Sequence, residues 1–339
     1  MHKIELTGGE VEAIHALLSE LAVRYASVED PVFLHNVAVH AHELPRRLRH
    51  HLNEFKLFEP TSALCLISGY PVDDERIGPT PEHWKNRPQP SPTLREEIFF
   101  VLVSSLIAEP IGWSTQQDGH VVHDLCPIRE HEKEQIGTGS EQDIWWHTED
   151  AFHPLRGDYI GLMCLRNFDR VATTFANLED LGLSEEEVRL LAQPVFPIRP
   201  DDSHRLKNKS NGHQDDAELQ AAYEEIERMS QQPLKIAVLE GDLRTPYIRL
   251  DPYFMEPAED PAARRAFERL TQVIDARLQD VVLEPGDCCF LDNLQSVHGR
   301  RSFKARYDGR DRWLKRINLT RDLRRSRGAR LSPEARIIY

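Results

Sequence analysis

No stretch of about 18 consecutive apolar residues occurs in the 339-residue chain, which argues against a membrane-spanning helix. The opening segment, MHKIELTGGEVEAIHALLSEL, lacks a basic leader followed by an apolar run and a small-residue cleavage site, so the expectation is a cytoplasmic protein. Cysteine is scarce: Cys65, Cys126, Cys164, Cys288 and Cys289 are odd in number and lack zinc-type spacing. A disulfide framework and a structural zinc site are therefore not expected, and these cysteines read as reduced core residues. A basic surplus is missing as well. Lys and Arg number 42 against 56 Asp and Glu, and the net charge of −14 argues against a general attraction to nucleic acid or anionic membrane. There is no internal repeat and no long low-complexity linker. With 40% hydrophobic residues the chain can build a sizeable core, and 1–339 reads as one domain.

What is present falls into two halves. Thr7 and Glu10 make a capping box ahead of Val11, Ile14, Leu17, Leu18 and Leu21 at helical spacing, and a second helical pattern covers roughly 33–56. SALCLISGYPV reads as a buried strand, and SPTLREEIFFVLVSSLIAE as a helix capped near Ser91 with Pro92 in its first turn. From about residue 110 the pattern turns to short β-like runs with uneven insertions, which suits a barrel or sandwich. Helices interrupt it at 184–193, where Ser184 and Glu187 form another capping box, and at 260–279, opened by Asp260 and Pro261. The stretch DDSHRLKNKSNGHQDDAELQ is polar and turn-rich, as an exposed insertion or lid would be.

The chemistry sits in WWHTEDAFHP. Side chains at i and i+2 of a strand leave one face, so His147 and Glu149 can point into one cavity while Trp146 and Thr148 point away. Two imidazoles and one carboxylate on one face of Fe(II) leave positions for co-substrate and oxygen, so the pair lacks a distant second histidine. His298 is the candidate: it follows EPGDCCFLDN, a Pro-Gly turn leading into an apolar strand. Arg312 and Arg316 come next, four apart and flanked by apolar residues in RWLKRINLT.

With HTEDAFHP, RVATT, LEPGDCCFLDNLQSVHGR and RDRWLKR in view, the chain resembles the clavaminate synthase-like group of Fe(II)/2-oxoglutarate dioxygenases, especially its free L-amino-acid hydroxylases. The likeness covers roughly residues 110–321, and Glu149 agrees with that group's use of glutamate in place of the commoner aspartate. The resemblance implies a mainly β fold with flanking helices: a double-stranded β-helix (jelly-roll) core over about 110–321, a helical N-terminal part over about 1–109 and a polar lid-like insertion over about 201–232. It implies that His147, Glu149 and His298 ligate Fe(II). Arg312 would pair with the distal carboxylate of 2-oxoglutarate, joined by Thr174, or by Thr173 if the register is shifted by one. Arg316 would grip the substrate α-carboxylate, with a surface ion pair as the plainer alternative. Gln116 or Gln117 would lie near the α-amino group, where turn glutamines are otherwise solvated.

Asp251, in PYIRLDPYFM, matches an acid that holds the polar end of the substrate side chain, although an Asx turn beside proline explains it equally well. Arginine hydroxylases of the group resemble an Asp-x-Asp here, whereas this chain has Asp251-Pro252-Tyr253, and lysine is accordingly favoured over arginine. The implied reaction is hydroxylation of an unactivated C–H of a free basic amino acid, using O2 and 2-oxoglutarate and releasing succinate and CO2. An oxygenase acting on a carrier-bound residue and a non-catalytic cupin-like small-ligand binder are the alternatives. No oligomeric state follows.

Overall fold

The computed structural model describes residues 2–60, 62–179, 181–205 and 217–339. Its centre is a pair of β-sheets. The larger has eight strands, ordered His2–Glu5, Leu64–Ser68, Cys288–Asp292, Tyr159–Arg166, Trp313–Thr320, Glu109–Trp113, Ile337–Ile338, with Val122–Leu125 also paired to Trp313–Thr320. The smaller has four, ordered Gln279–Val281, Thr173–Asn177, Ser296–Arg300, Ile144–His147. Leu64, Leu66, Ile160, Leu162, Cys289 and Leu314 of the larger sheet pack against Phe175 and Val281 of the smaller, so the sheets face one another across an apolar layer. This is the double-stranded β-helix with flanking helices that the sequence resemblance implies.

Strand alternation distributes the remaining side chains. Cys288 and Phe290 point away from the smaller sheet and join a helical layer, whereas Cys289 and Leu291 enter the space between the sheets. That helical layer is built from Gly8–Arg24, Pro31–Ala41, Arg46–Phe58 and Leu94–Ile107. The reciprocal capping of Thr7 and Glu10 is present. The single helical pattern over 33–56 is two helices, because Pro45 lacks an amide hydrogen to continue the first and instead stands at the N-cap of the second. Leu94–Ile107 starts at an N-cap of Thr93, later than the Ser91 expectation, and Ser91 instead bonds Glu97. The N-terminal part also contributes two strands, His2–Glu5 and Leu64–Ser68, to the edge of the larger sheet.

Behind the smaller sheet, Trp146, Ala176 and Val297 pack with Pro261–Asp275, Glu185–Leu191 and Ala217–Gln231. The insertion expected over 201–232 thus divides. Residues 206–216 lie outside the described residues, 202–204 form a short helical turn with a buried His204, and Ala217–Gln231 is an amphipathic helix on this core. All five cysteines are buried free thiols. Among the described residues, no helix is long and apolar enough to cross a membrane.

Candidate active site

His147 ends the strand Ile144–His147, and its register partner on Ser296–Arg300 is His298. Antiparallel partners project to the same side of a sheet, so strand pairing alone sets the two imidazoles side by side, 4.6 Å apart between ring centres. Glu149 lies just beyond the strand rather than within it. Its position comes from Asn293, whose side chain accepts from the Glu149 amide at 2.7 Å and donates to the Glu149 carbonyl at 3.0 Å. One Glu149 oxygen is then 3.5 Å from His147 Nε2 and 3.3 Å from His298 Nε2. The three ligand atoms lie within 4.8 Å of one another.

This donor set fits a divalent iron. His147 Nδ1 is 2.8 Å from the Trp145 carbonyl, which orients the ring and leaves Nε2 toward Glu149. Burial opposes the charged form of His298 and pushes its pKa down, favouring the neutral imidazole a metal requires. Burial also opposes ionisation of Glu149, but the Arg316 charge and the two imidazoles outweigh it and hold the carboxyl well below its ordinary value.

The triad lines a cavity of about 820 Å³, including the space at its mouth, between Ile160, Leu162 and Leu314 of the larger sheet and Thr173 of the smaller. Arg312 and Arg316, expected to hold different carboxylates, both line it: they flank Leu314 at alternate positions of one extended segment. Arg312 is buried, its Nε has no hydrogen-bond partner, and no carboxylate among the described residues pairs with it. Burial lowers its pKa to about 10. A buried guanidinium without an anion is costly, and its orphaned donors fit a carboxylate of 2-oxoglutarate entering the cavity.

The threonine beside it is Thr173, whose hydroxyl is 3.4 Å from Arg312 Nη2. The Thr174 expectation is corrected by one register step. In Thr173–Asn177, Thr173 and Phe175 face the other sheet, while Thr174 points to the opposite side, its hydroxyl close to Gly299.

Arg316 donates to Glu149 at 2.5 Å and to Gln116 Oε1 at 3.0 Å, and lies 2.8 Å from His123 Nδ1. It is therefore an interior cation and not part of a surface ion pair. Its contact also separates the two glutamines. Gln116 reaches Arg316 and donates to the Ser203 hydroxyl at 2.6 Å, whereas the Gln117 amide is occupied by the backbone of Asp124. Neither glutamine lines the main cavity; both line a neighbouring one that shares Ser203 and Arg316 with it.

Asp251 lines the cavity, brought there by the pairing of Thr148 with Leu250 at 2.9 Å. Its Oδ1 accepts from the amides of Tyr253 and Phe254, so the Asx turn exists in addition to the cavity position. Burial, aided by the negative charge of Asp201, pushes its pKa up to about 6, although His147 opposes the shift.

Several site residues escaped the sequence reading, among them Asn293, which holds Glu149, and the cavity-lining Asp201 and Arg300. Asp201, in the stretch taken as exposed, lines the cavity with Asp251, and its only local signal is the Pro-Asp pair opening a short helical turn. Arg300 also lines it, donating to the carbonyls of Gly139 and, at 2.8 Å, Gln142, with its Nε orphaned.

The chain is similar to known proteins over its whole length. The family model described as taurine catabolism dioxygenase TauD, TfdA family matches residues 99–318. An enduracididine beta-hydroxylase of Streptomyces hygroscopicus is 45% identical over all of both chains, and an L-ornithine/L-arginine 3-hydroxylase of Catenulispora acidiphila is 46% identical, again over all of both. The L-lysine 3-hydroxylase of Catenulispora acidiphila is 30% identical, over 95% of this chain and 88% of its own. The crystal structure of the non-heme iron oxygenase OrfP, in complex with Fe, succinate and (3S)-hydroxy-L-Arg, superposes with a TM-score of 0.94 at 46% identity and 99% coverage of each chain.

Proposed function

We propose that this chain, which belongs to the TauD, TfdA family of dioxygenases, hydroxylates C3 of a free L-amino acid whose side chain ends in a guanidinium, with arginine first. It is an Fe(II)- and 2-oxoglutarate-dependent amino-acid hydroxylase acting on free basic amino acids, and its cofactor and co-substrates are Fe(II), 2-oxoglutarate and O2. The non-catalytic binding alternative is thereby set aside. Bound iron supplies the activation of O2 and the oxidation that leaves succinate, CO2 and a hydroxylated carbon.

In this reading His147, Glu149 and His298 hold the iron. Arg312 and Thr173 hold the distal carboxylate of 2-oxoglutarate, and Arg316 with Gln116 receives the α-carboxylate and α-amino end of the substrate. Once both ends of the amino acid are fixed, the carbon nearest the metal is decided by geometry.

The expectation that lysine ranks ahead of arginine finds no support. The relatives at 45% and 46% identity are named for enduracididine, ornithine and arginine, whereas the lysine enzyme is more distant at 30%. The physical premise was a single acid, Asp251, with Tyr253 in place of a second. The observation that carries the arginine reading is that Asp201 lines the same cavity as Asp251. Two acids lining one cavity suit the planar fork of a guanidinium better than the point charge of an ammonium.

The test is to offer L-arginine, L-ornithine, L-lysine and L-asparagine, with Fe(II), ascorbate and 2-oxoglutarate, to the native chain and to Asp201→Asn and Asp251→Asn. Arginine is expected to turn over best. Each variant should lose about 10- to 100-fold in kcat/KM for it, since one charge-assisted pair is removed. A native preference for lysine or a neutral amino acid, or variants with undiminished arginine turnover, would sink the assignment.

A further inference from the structure

The segment 199–205 brings Asp201 and Ser203 to the cavity wall, and its third inward residue, His204, has no role in the reading above. His204 is completely buried. Its Nδ1 lies 2.7 Å from the Thr115 hydroxyl and its Nε2 lies 3.0 Å from Asp150 Oδ1. Both ring nitrogens are therefore engaged by elements other than its own. The ring also meets Trp113 and Phe152 edge-on, with centres 5.6 Å and 4.9 Å apart.

These partners are fixed parts of the site. Asp150 directly follows Glu149, has φ of 50°, and is held by Trp113 Nε1 at 2.6 Å and Asn318 Nδ2 at 3.1 Å. Thr115 directly precedes Gln116. A second tie runs parallel to the first: Ser203 accepts from Gln116, Gln116 accepts from Arg316, and Arg316 donates to Glu149. The contacts therefore close a ring. Starting at Glu149 it passes through Arg316, Gln116 and Ser203 to His204, and returns through Asp150 to the residue beside Glu149. Asp201 sits on the part of the ring contributed by the segment, and its Oδ2 is 3.9 Å from His204 Nε2.

We propose that His204 is a positioning residue that latches segment 199–205 against Thr115 and Asp150, and so sets Asp201 at the distal end of the substrate cavity. The inference rests on the hydroxylase reading of that cavity. Arg199 ties the start of the segment to the Phe254 carbonyl at 3.0 Å and to Glu256, but nearer Asp201 the tie through Ser203 and Gln116 ends at Arg316, where a substrate carboxylate would rearrange it. The His204 contacts do not touch Arg316, and they keep Asp201 in place while that end of the cavity changes partners. Without the latch, Asp201 samples positions away from the guanidinium. Substrate then binds more weakly, and part of the 2-oxoglutarate is consumed without hydroxylating the amino acid.

The experiment uses the full chain loaded with iron, comparing native protein with His204→Leu, His204→Gln and Thr115→Val. In His204→Leu the KM for L-arginine should rise by about tenfold or more, as befits loss of two buried hydrogen bonds. More succinate should form per hydroxylated product, and amide hydrogen exchange over 199–205 should accelerate. Iron content and the KM for 2-oxoglutarate should stay native. His204→Gln, which retains a donor for Asp150, should recover part of the KM, and Thr115→Val should shift it severalfold in the same direction. Native KM and coupling in His204→Leu would overturn the proposal, as would a matching loss of iron and of 2-oxoglutarate affinity. If the native chain does not turn over L-arginine, the substrate assignment fails separately. Hydrogen exchange then decides: faster exchange over 199–205 in His204→Leu upholds the latch, and unchanged exchange overturns it.

Discussion

Lys315, on the strand Trp313–Thr320, and Arg312, just before it, are both buried cations, and their surroundings treat them in opposite ways. On the helical side Lys315 is fully buried, with Nζ 2.8 Å from Glu97 and 2.6 Å from Asp124, and Asp124 in turn lies 2.6 Å from Arg87. On the cavity side Arg312 is nearly as buried, yet its nearest bonding partner is the Thr173 hydroxyl at 3.4 Å. A closed cluster of opposite charges holds elements together, whereas a buried cation left without an anion within the chain marks the place where a ligand supplies one. The same contrast applies to acids. Burial raises the carboxyl of Glu97 and Asp124, but Lys315 outweighs it and both sit below their ordinary values, while Asp251 on the open side is pushed up to about 6.

The largest effect should come from emptying the open side. His298→Ala removes one of three metal-facing donors and should abolish turnover and iron retention while leaving the fold, since His298 bears no part of the closed cluster. Native iron content and turnover in that variant would break the contrast at once. Next in size is Lys315→Met, which leaves Glu97 without its cation and Asp124 with Arg87 alone, and should cost about 3–5 kcal/mol in chemical denaturation. The pH dependence follows from the direction of the shifts. Because Glu97 and Asp124 are held low in the folded chain, their contribution is full above about pH 4 and is lost as pH falls through their folded values. A native chain whose stability rises as pH drops below that point would contradict the pairing. The smallest effect separates two adjacent hydroxyls: Thr173→Ala should raise the KM for 2-oxoglutarate about 3- to 10-fold, the worth of one hydrogen bond. Thr174→Ala should leave that KM at its native value. Equal responses would show that the register matters less than the hydroxyl count.

The same contrast explains what could be read from the chain. Arg312 and Arg316 are four apart, so the period of a strand makes their shared face visible before any fold is known; the same period brought Glu149 to the right cavity although Asn293, and not the strand, holds it there. Most of the flanking helices, and a barrel or sandwich of short strands, follow from patterning that runs for many residues, whereas the β-helix was legible only through the family resemblance. Thr173 against Thr174 turned on a single register step, which reverses the face of every side chain and leaves no trace in composition. Asp201 was hidden for another reason. Its neighbours are polar because they bond Asp150, Thr115 and Gln116 across long separations in sequence, and polarity satisfied inside the protein looks the same in sequence as polarity facing water. Asp251 was visible, but its meaning depended on a second acid that only the folded chain brings to the cavity.

The most direct measurement is on Arg312→Met: chemical denaturation of the unliganded protein, and calorimetric titration of 2-oxoglutarate into the iron-loaded form, on one preparation. If Arg312 is kept for an external anion, replacing an unpaired buried cation with an apolar side chain leaves stability unchanged or raises it by about 1–4 kcal/mol. The same change should weaken 2-oxoglutarate binding by about 10- to 100-fold, the worth of a charge-assisted pair. A loss of several kcal/mol in stability with native 2-oxoglutarate affinity would mean that Arg312 belongs to the scaffold, as Lys315 does, and would contradict the account.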